Sequence, residues 1–365
     1  MPMRCHYLTT HHRPRSNPCA SCACLKDGEG VASPTTKEEW REYCTYEPTP
    51  DAGRPHLSID EIRALTAEQR SLYNDQRVAY LEEERLFPTR DLTSVLALAH
   101  KLMRAARVKK FVARRGIRVS GNTRIGKSTA VMAAGKTLDC EMRRISGRET
   151  DLSYLPVIYT PIATATSINK LWIRLADFVG AREIRGTDPD ERLLDLAHLL
   201  KKLGTRFVIL DEAQRLNTDR PAVAEVADAI KVFAETLDAT MIFAGISLDT
   251  APLFSGRSGE QWRKRTRPVN MSKYEASRNG DQLEWQRLVA AFECLLPLPL
   301  HERGLLERNA AYLLHRTDGS LALLSDLIVD AASAAIDSGT EAITLELLDT
   351  IAVDDEDRGT VPHEQ

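Results

Sequence analysis

The sequence lacks a long hydrophobic run. No stretch of its 365 residues approaches the roughly 18 consecutive apolar residues that a membrane-spanning helix requires. The first residues of the chain also lack the apolar segment of a secretory signal. We therefore expect a protein with no membrane partner, and we expect it in the cytoplasm.

A strong net charge is also missing. The chain has 49 Lys and Arg residues against 52 Asp and Glu residues, which gives a formal net charge of −3. The field of the whole molecule therefore does not attract polyanions. Any contact with nucleic acid must come from local clusters of basic residues.

Cysteines are few and unevenly placed. Five of the seven lie before position 45, a distribution that does not fit a disulfide scaffold. Residues 1–56 contain few aliphatic side chains, so we expect a poorly ordered arm that bears Cys and His. Cys19, Cys22, Cys24 and Cys44 are candidate Zn²⁺ ligands in this arm, although a second Cys-x-x-Cys pair is missing. A zinc site and a mobile arm without metal both remain open.

Residues 57–110 predict a helical segment. Ser58 with Glu61 and Thr66 with Gln69 have the spacing of capping boxes, which favours two helices between 58 and about 84. An apolar stripe after Pro88 predicts another helix. The chain is basic and free of acidic residues between 101 and 120. That run fits either a solvated helix face or a contact with a phosphate backbone.

Residues 111–282 alternate between short β-branched runs and helical patterns, which is typical of a parallel sheet sandwiched by helices. The predicted strands are Gly116–Ser120, Leu155–Thr160, Arg206–Leu210 and Thr240–Gly245. Residues 283–350 read as helices only and predict a small C-terminal helical lid, followed by an acidic tail at 351–365. The predicted fold class is therefore α/β.

A phosphate-binding loop follows the first predicted strand. Residues 121–128 match G-x-x-x-x-G-K-[ST] and stand between a strand and a helix. Glycines let consecutive amides turn toward a phosphate, and the helix adds the positive end of its dipole. Lys127 is expected to bridge the β- and γ-phosphates of ATP, and Ser128 to bind Mg²⁺. The candidate nucleotide-binding residues are Gly121, Asn122, Thr123, Arg124, Ile125, Gly126, Lys127, Ser128 and Thr129.

A pair of carboxylates ends the third predicted strand. Because successive strand residues point to opposite sides, Asp211 can face Mg²⁺ while Glu212 orients the attacking water. Gln214 fits either a relay from Glu212 to a partner surface or an ordinary glutamine of a first helical turn. Ser247 follows the fourth predicted strand, so it fits either a sensor of the γ-phosphate or an ordinary turn residue.

A second basic cluster contains Arg257, Arg263, Lys264, Arg265 and Arg267. It fits an arginine finger for a neighbouring subunit, a contact with DNA, or simple solvation. The γ-phosphoryl group needs a cation that the phosphate-binding loop alone does not supply. We favour Arg265 as that finger, with Arg263 next.

Together these motifs resemble the AAA+ ATP-binding subunits of bacterial transposons, the TniB and TnsC group. The resemblance covers roughly residues 58–350. It rests on the P-loop, Asp-Glu-Ala-Gln at 211–214, Ala-Gly-Ile-Ser at 244–247, Gln-Trp-Arg-Lys-Arg at 261–265 and the run from Phe292 to Leu298. In that group the arginine matching Arg265 has a similar setting, which supports its assignment as the finger.

The resemblance implies an ATPase that assembles as a ring or filament on double-stranded DNA and recruits or stimulates a transposase. The lid turn at 318–321 carries no arginine, so we expect slow, assembly-dependent hydrolysis. The alternatives are a helicase loader or secretion-type motor ATPase, and a nucleotide-switch signalling ATPase.

Overall fold

A parallel sheet forms the centre of the protein. The computed structural model describes residues 33–108, 112–163, 167–181, 188–216 and 223–353. Within them the sheet has five strands in the spatial order β2-β3-β4-β1-β5. The strands are β1 (Gly116–Ser120), β2 (Val157–Pro161), β3 (Phe207–Asp211), β4 (Thr240–Gly245) and β5 (Thr266–Asn270).

Helices cover both faces of this sheet. Every residue of β1, β3 and β4 is buried, which requires apolar cover on each side. The predicted α/β class, with a parallel sheet between helices and a helical unit after it, is confirmed. The helices are α1 (Lys37–Thr45), α2 (Ile59–Ala64), α3 (Ala67–Glu82), α4 (Arg90–Val108), α5 (Lys127–Ser146), α6 (Ile168–Phe178), α7 (Pro189–Lys202), α8 (Val223–Leu237), α9 (Gly256–Arg265), α10 (Asp281–Glu293), α11 (Leu305–Arg308), α12 (Ala310–Arg316), α13 (Leu321–Ser338) and α14 (Leu345–Thr350).

The order of the strands brings three loops to one edge of the sheet. Ser120 at the end of β1 pairs with Gly245 at the end of β4, and Leu210 near the end of β3 pairs with Phe243. Because the strands are parallel, their carboxyl ends meet at this edge. The loop after β1, the acidic end of β3 and the turn after β4 therefore lie side by side, with β4 in the middle.

The edge strand β5 was not among the predicted strands. Its sequence, Thr-Arg-Pro-Val-Asn, has no apolar alternation, and most of its side chains are exposed or half-buried. It contains Pro268, which lacks an N–H donor and is tolerated in strands mainly at sheet edges. The pairing of Gly116 with Thr266 and of Ser120 with Asn270 fixes its register. Backbone pairing, rather than side-chain pattern, defines this strand.

The N-terminal arm differs from its prediction over residues 33–56. Helix α1 begins at a capping box in which Thr36 and Glu39 cap each other reciprocally. Trp40 is fully buried and Cys44 is 7% exposed, both in the apolar cluster of the sheet. One buried tryptophan supplies the apolar area that the composition of the segment does not suggest. Residues 1–32 lie outside the described part.

The carboxyl-terminal helices form a second apolar cluster, which we call the lid (α10–α14). Tyr80 of α3 and Phe87 belong to this cluster, whereas α4 packs on the sheet. The predicted helical segment 57–110 therefore divides between the two units. Both predicted capping boxes, at Ser58 and Thr66, are present.

None of the described helices has, by itself, the length and apolarity to cross a membrane. Helices α12 and α13 reach that limit only as a pair, and they are bent by 108° at the turn between them.

Candidate nucleotide-binding site

The loop between β1 and α5 has a backbone that requires glycine at two positions. A Cβ atom on Gly121 would lie 2.2 Å from Cδ1 of Ile125 and 2.6 Å from the carbonyl oxygen of Met271. Gly126 has a φ of +81°, a left-handed conformation that side chains disfavour. Arg124 is also left-handed, with a φ of +54°. The chain therefore turns tightly before α5 begins.

The amino end of α5 has no side-chain cap. Gly126 is the N-cap residue and supplies no hydrogen bond to the first turn. The first amides of a helix have no acceptor inside the helix, and they carry the positive end of its dipole. Ser128 is half-buried and Thr129 is exposed beside these amides. This arrangement suits an anion such as a phosphate group.

Lys127 is a buried cation at the same point. Its side chain is 6% exposed, and Nζ donates a hydrogen bond to the backbone carbonyl of Asn122. Burial lowers the pKa of Lys127, while the nearby charges of Glu212 and Asp211 act in the opposite direction. Within the described residues Lys127 has no ion pair. A buried ammonium group without a paired carboxylate fits an anionic ligand.

Asp211 is held rigidly at the end of β3. It is 2% exposed, its Oδ2 accepts a hydrogen bond from the hydroxyl of Tyr159 at 2.8 Å, and its Oδ1 accepts one from the amide of Glu212 at 2.9 Å. No motif or spacing in the sequence points to Tyr159. Only the pairing of β2 with β3 brings the two residues together.

Glu212 points into a different environment from Asp211. Its φ is +56°, and its carboxylate accepts a hydrogen bond from Nε2 of Gln214 at 2.8 Å and lies 3.1 Å from Nε of Arg215. Its side chain is 25% exposed, so solvent reaches it. A carboxylate that is oriented but accessible can bind and activate a water molecule.

Gln214 connects Glu212 to the end of β4. While its Nε2 donates to Glu212, its Oε1 accepts a hydrogen bond from the amide of Ile246 at 3.0 Å. A Cβ atom on Gly245 would lie 2.1 Å from that Oε1, so the glycine makes this approach possible. Gln214 thus contacts two neighbouring strand ends, which a sequence pattern alone does not indicate.

Ser247 lies in the turn after β4 with a φ of +47°, and its side chain is exposed. Its carbonyl oxygen accepts a hydrogen bond from the amide of Thr250 at 3.0 Å. The structure therefore places Ser247 at the same edge of the sheet as Asp211 and Glu212. Within the described residues no hydrogen bond connects its hydroxyl to either carboxylate.

Arg265 lies at the edge of the sheet formed by the amino ends of the strands. Lys127 lies at the other edge, beyond the carboxyl end of β1. It ends α9, and the next residue, Thr266, pairs with Gly116 at the start of β1. Nη2 of Arg265 lies 2.6 Å from Oε1 of Glu235 on α8. Arg265 is thus remote from the phosphate-binding loop of its own chain.

A cleft of about 1920 Å³ runs from the phosphate-binding loop to the lid. Ser128 and Thr129 of the loop line it, and so does Leu323 of α13 in the lid. The same cleft contains partly buried apolar side chains that pack against the core, including Leu86, Leu96 and Met132. An apolar surface next to an anion site suits a flat heterocyclic base.

Of the candidate zinc ligands, Cys44 alone lies in the described part of the chain. Cys44 is buried in the core, and burial raises the pKa of its thiol well above the usual value. Because zinc binds the thiolate, this burial does not favour Cys44 as a ligand, and the zinc site stays a prediction. Cys19, Cys22 and Cys24 lie outside the described residues. Across the described ranges no group of three or more His, Cys, Asp or Glu residues could hold a metal ion.

Solved structures of ORC and Cdc6 proteins share this fold. The ORC2 protein of Aeropyrum pernix, solved as ADPNP–ADP complexes, matches with a TM-score of 0.55 and 17% identity over 75% of this chain and 69% of that chain. The ORC1 protein of the same organism, solved with DNA, gives 0.53 and 19% over 74% and 66%. Cdc6p of Pyrobaculum aerophilum gives 0.51 and 16% over 71% and 65%.

At these identities the likeness concerns the fold alone, and the chain spans about two thirds of the length of those proteins. They are AAA+ proteins, which confirms the predicted AAA+ P-loop fold. A comparison with curated protein sequences gives no match. A family model described as the bacterial TniB protein matches residues 77–276, more than half of the chain. The chain therefore belongs to the bacterial TniB family.

Proposed function

We propose that this TniB-family chain is a magnesium-dependent cytoplasmic ATPase whose nucleotide state controls its assembly on duplex DNA and its action on a transposase. The observation that carries the proposal is the buried Lys127, which lies at the uncapped start of α5 and near Asp211 and Glu212. A cation, free helix amides and two carboxylates at one sheet edge are what binding and hydrolysis of a nucleoside triphosphate require.

Different residues of the site bind ATP and Mg²⁺. The amides of residues 122–128 and Lys127 hold the phosphates, because both supply positive charge at the start of α5. The hydroxyl of Ser128 and the carboxylate of Asp211 supply oxygen ligands for Mg²⁺. The base lies in the adjoining cleft beside Leu86, Leu96, Met132 and Leu323. When bound, Mg²⁺ would neutralise negative charge on the phosphate oxygens.

Glu212 is the residue that activates water. It is oriented by Gln214 and accessible to solvent. The lid turn at 318–321 contacts the loop, since the hydroxyl of Ser320 donates a hydrogen bond to the carbonyl of Arg124 at 3.0 Å. This turn contains no arginine. Arg265 is remote from this loop, so it completes the site of a neighbouring subunit rather than its own. Hydrolysis is therefore slow in the isolated chain.

Basic side chains on α4 supply a surface for DNA. Lys101, Arg104 and Arg107 are exposed at helical spacing, and none of them has an ion pair in the described ranges. Arg115 and Arg267 are exposed nearby, since β1 and β5 pair directly and α4 packs on both. Unpaired cations of this kind bind phosphate backbones without reading sequence. The ORC1 neighbour solved with DNA supports this part of the proposal.

Nucleotide binding and hydrolysis by single-residue variants test the proposal. Lys127→Ala is expected to weaken ATP binding by roughly 10- to 100-fold, the effect of losing one charged hydrogen bond. Glu212→Gln is expected to bind ATP normally and to hydrolyse it roughly 100-fold more slowly or worse. Both are measured by equilibrium titration and phosphate release.

Lys202→Ala on α7 and Glu68→Gln on α3 are matched controls, because both residues are exposed and belong to other helices. They are expected to behave as the unaltered chain does. Wild-type binding in Lys127→Ala, or wild-type turnover in Glu212→Gln, would remove the basis of the proposed function.

A further inference from the structure

The segment 33–45, which we call the N-terminal strap, packs beneath the candidate site. The ring of Trp40 stacks on the ring of Tyr159, with centroids 5.8 Å apart and planes inclined by 8°. Nε1 of Trp40 donates a hydrogen bond to Oδ2 of Asp139 on α5 at 3.4 Å. A Cβ atom on Gly135 of the same helix would lie 2.7 Å from Cη2 of Trp40. The strap therefore fills the space between the helix of the phosphate-binding loop and strand β2.

Tyr159 connects this strap to Asp211. The tyrosine is fully buried, and its hydroxyl donates to Oδ2 of Asp211 at 2.8 Å. The hydroxyl oxygen of Ser33 lies 3.4 Å from the same phenol group. The other oxygen of Asp211 accepts from the amide of Glu212. Each carboxylate oxygen thus has one protein donor, which fixes the plane of the group and leaves a lone pair on each oxygen.

We propose that Tyr159 is a positioning residue for Asp211, and that the strap, through Ser33 and Trp40, sets how firmly Tyr159 holds it. The inference rests on the proposed function, in which Asp211 binds Mg²⁺. Donors behind a metal-binding carboxylate orient it, and their removal typically costs roughly 10- to 100-fold in metal affinity or activity. A partner or a modification that undocks the strap therefore weakens Mg²⁺ binding and slows hydrolysis without touching the phosphate-binding loop.

The direct test uses Tyr159→Phe in the full chain. This change keeps the ring against Trp40 and removes only the hydroxyl group. Binding of a non-hydrolysable ATP analogue in excess EDTA is expected to equal that of the unaltered chain. The Mg²⁺ concentration that gives half of the magnesium-dependent gain in analogue affinity is expected to rise roughly tenfold or more. Hydrolysis is expected to fall by a similar factor.

Tyr154→Phe is the matched control. Tyr154 is a buried tyrosine just before β2, and in the described part of the chain its hydroxyl makes no hydrogen bond. The control is expected to keep the Mg²⁺ dependence and turnover of the unaltered chain. An equal change in both variants would show general loosening of the strand and would overturn the assignment.

The role of the strap is tested by combining variants. Trp40→Leu is expected to raise the Mg²⁺ requirement by itself and to add little in a chain that already carries Tyr159→Phe, because both act on one contact. Fully additive effects would contradict the link. Thermal unfolding checks that each variant folds. Should Tyr159→Phe or Trp40→Leu fail to fold, Ser33→Ala carries the test, with a smaller rise in the Mg²⁺ requirement expected.

Two failures are distinguishable. If the unaltered chain shows no ATP binding that Lys127→Ala removes, the proposed function fails and this inference falls with it. If the chain binds and hydrolyses ATP but Tyr159→Phe keeps the original Mg²⁺ dependence, only the inference about Tyr159 and the strap is overturned.

Discussion

At the scale of single residues, Gln214 has the most informative surroundings. Its side-chain amide is used at both ends, by the carboxylate of Glu212 and by the backbone of Ile246. On the proposed function, we therefore expect a change at Glu212 on nucleotide binding to reach the turn after β4. That turn contains Ser247, whose side chain is exposed.

Replacing Gln214 with alanine tests this connection. Gln214→Ala removes the donor that orients Glu212 and leaves the amide of Ile246 without its acceptor. Turnover is expected to fall by roughly 10- to 100-fold, as for other residues that orient a catalytic group, while ATP affinity stays the same. Phosphate release and nucleotide titration measure the two quantities.

Gln286→Ala on the exposed surface of α10 is the control for that experiment, since it also removes a glutamine amide. Unchanged turnover in Gln214→Ala would mean that Glu212 is oriented by Arg215 or by solvent instead.

Residue spacing predicted part of the site and could not predict the rest. The loop at 121–128 and the pair Asp211–Glu212 are contiguous in sequence, so a pattern reveals them. The contacts of Tyr159 with Asp211 and of Gln214 with Ile246 depend on which strands are neighbours in the sheet. No spacing along the chain carries that information.

At the scale of secondary-structure elements, apolar segments were predicted from the sequence and polar ones were missed. The bounds of β1 and β4 match their predictions because apolar β-branched runs define them. Helix α1 and strand β5 were missed for the opposite reason. The first has a single buried tryptophan in a polar setting, and the second is a polar edge strand.

Gly135→Ala is expected to destabilise the protein although alanine favours helices. The added Cβ atom would lie 2.7 Å from both Cη2 of Trp40 and Cδ1 of Ile209. Overpacking of this kind costs about 1–3 kcal/mol, against a gain of about 1 kcal/mol in helix propensity. Denaturant unfolding measures the net loss, and Ser146→Ala at the exposed end of α5 serves as the control. A stabilised Gly135→Ala chain would show that α1 does not pack there.

At the scale of the whole molecule, the N-terminal helices join the lid through a buried ion pair. Arg77 of α3 is fully buried, and its Nη2 donates to Oε1 of Glu341 at 3.1 Å. Its guanidinium also donates to Oδ1 of Asn74 at 2.6 Å. Helix α3 is therefore joined to the lid by a buried ion pair as well as by packing against α13.

Breaking that ion pair is expected to destabilise the lid strongly. Arg77→Met leaves the carboxylate of Glu341 buried without a cation, which costs about 3–5 kcal/mol in comparable buried pairs. The double variant Arg77→Met with Glu341→Gln removes the stranded charge and is expected to regain part of this stability. Denaturant unfolding of both variants gives the comparison. An equal stability of Arg77→Met and the unaltered chain would contradict the role of this pair.

The nucleotide site lies where the two apolar clusters meet. Ser320 at the start of α13 donates to the loop at Arg124, and the backbone amide of Tyr274 donates to Gly319 at 3.0 Å. On the proposed function, a nucleotide in the cleft would contact both the sheet and the lid and would fix their relative position. Because Arg265 lies at the far edge of the sheet, we expect that fixed position to govern contact between subunits.

Sedimentation of the purified chain with duplex DNA shows whether the bound nucleotide controls assembly. With a non-hydrolysable ATP analogue and Mg²⁺, the chain is expected to sediment with the DNA as a large assembly that dissociates as salt is raised. With ADP, or with the Lys127→Ala variant, it is expected to remain small. Identical sedimentation with the ATP analogue, with ADP and without nucleotide would contradict the central claim that the nucleotide site is an assembly switch.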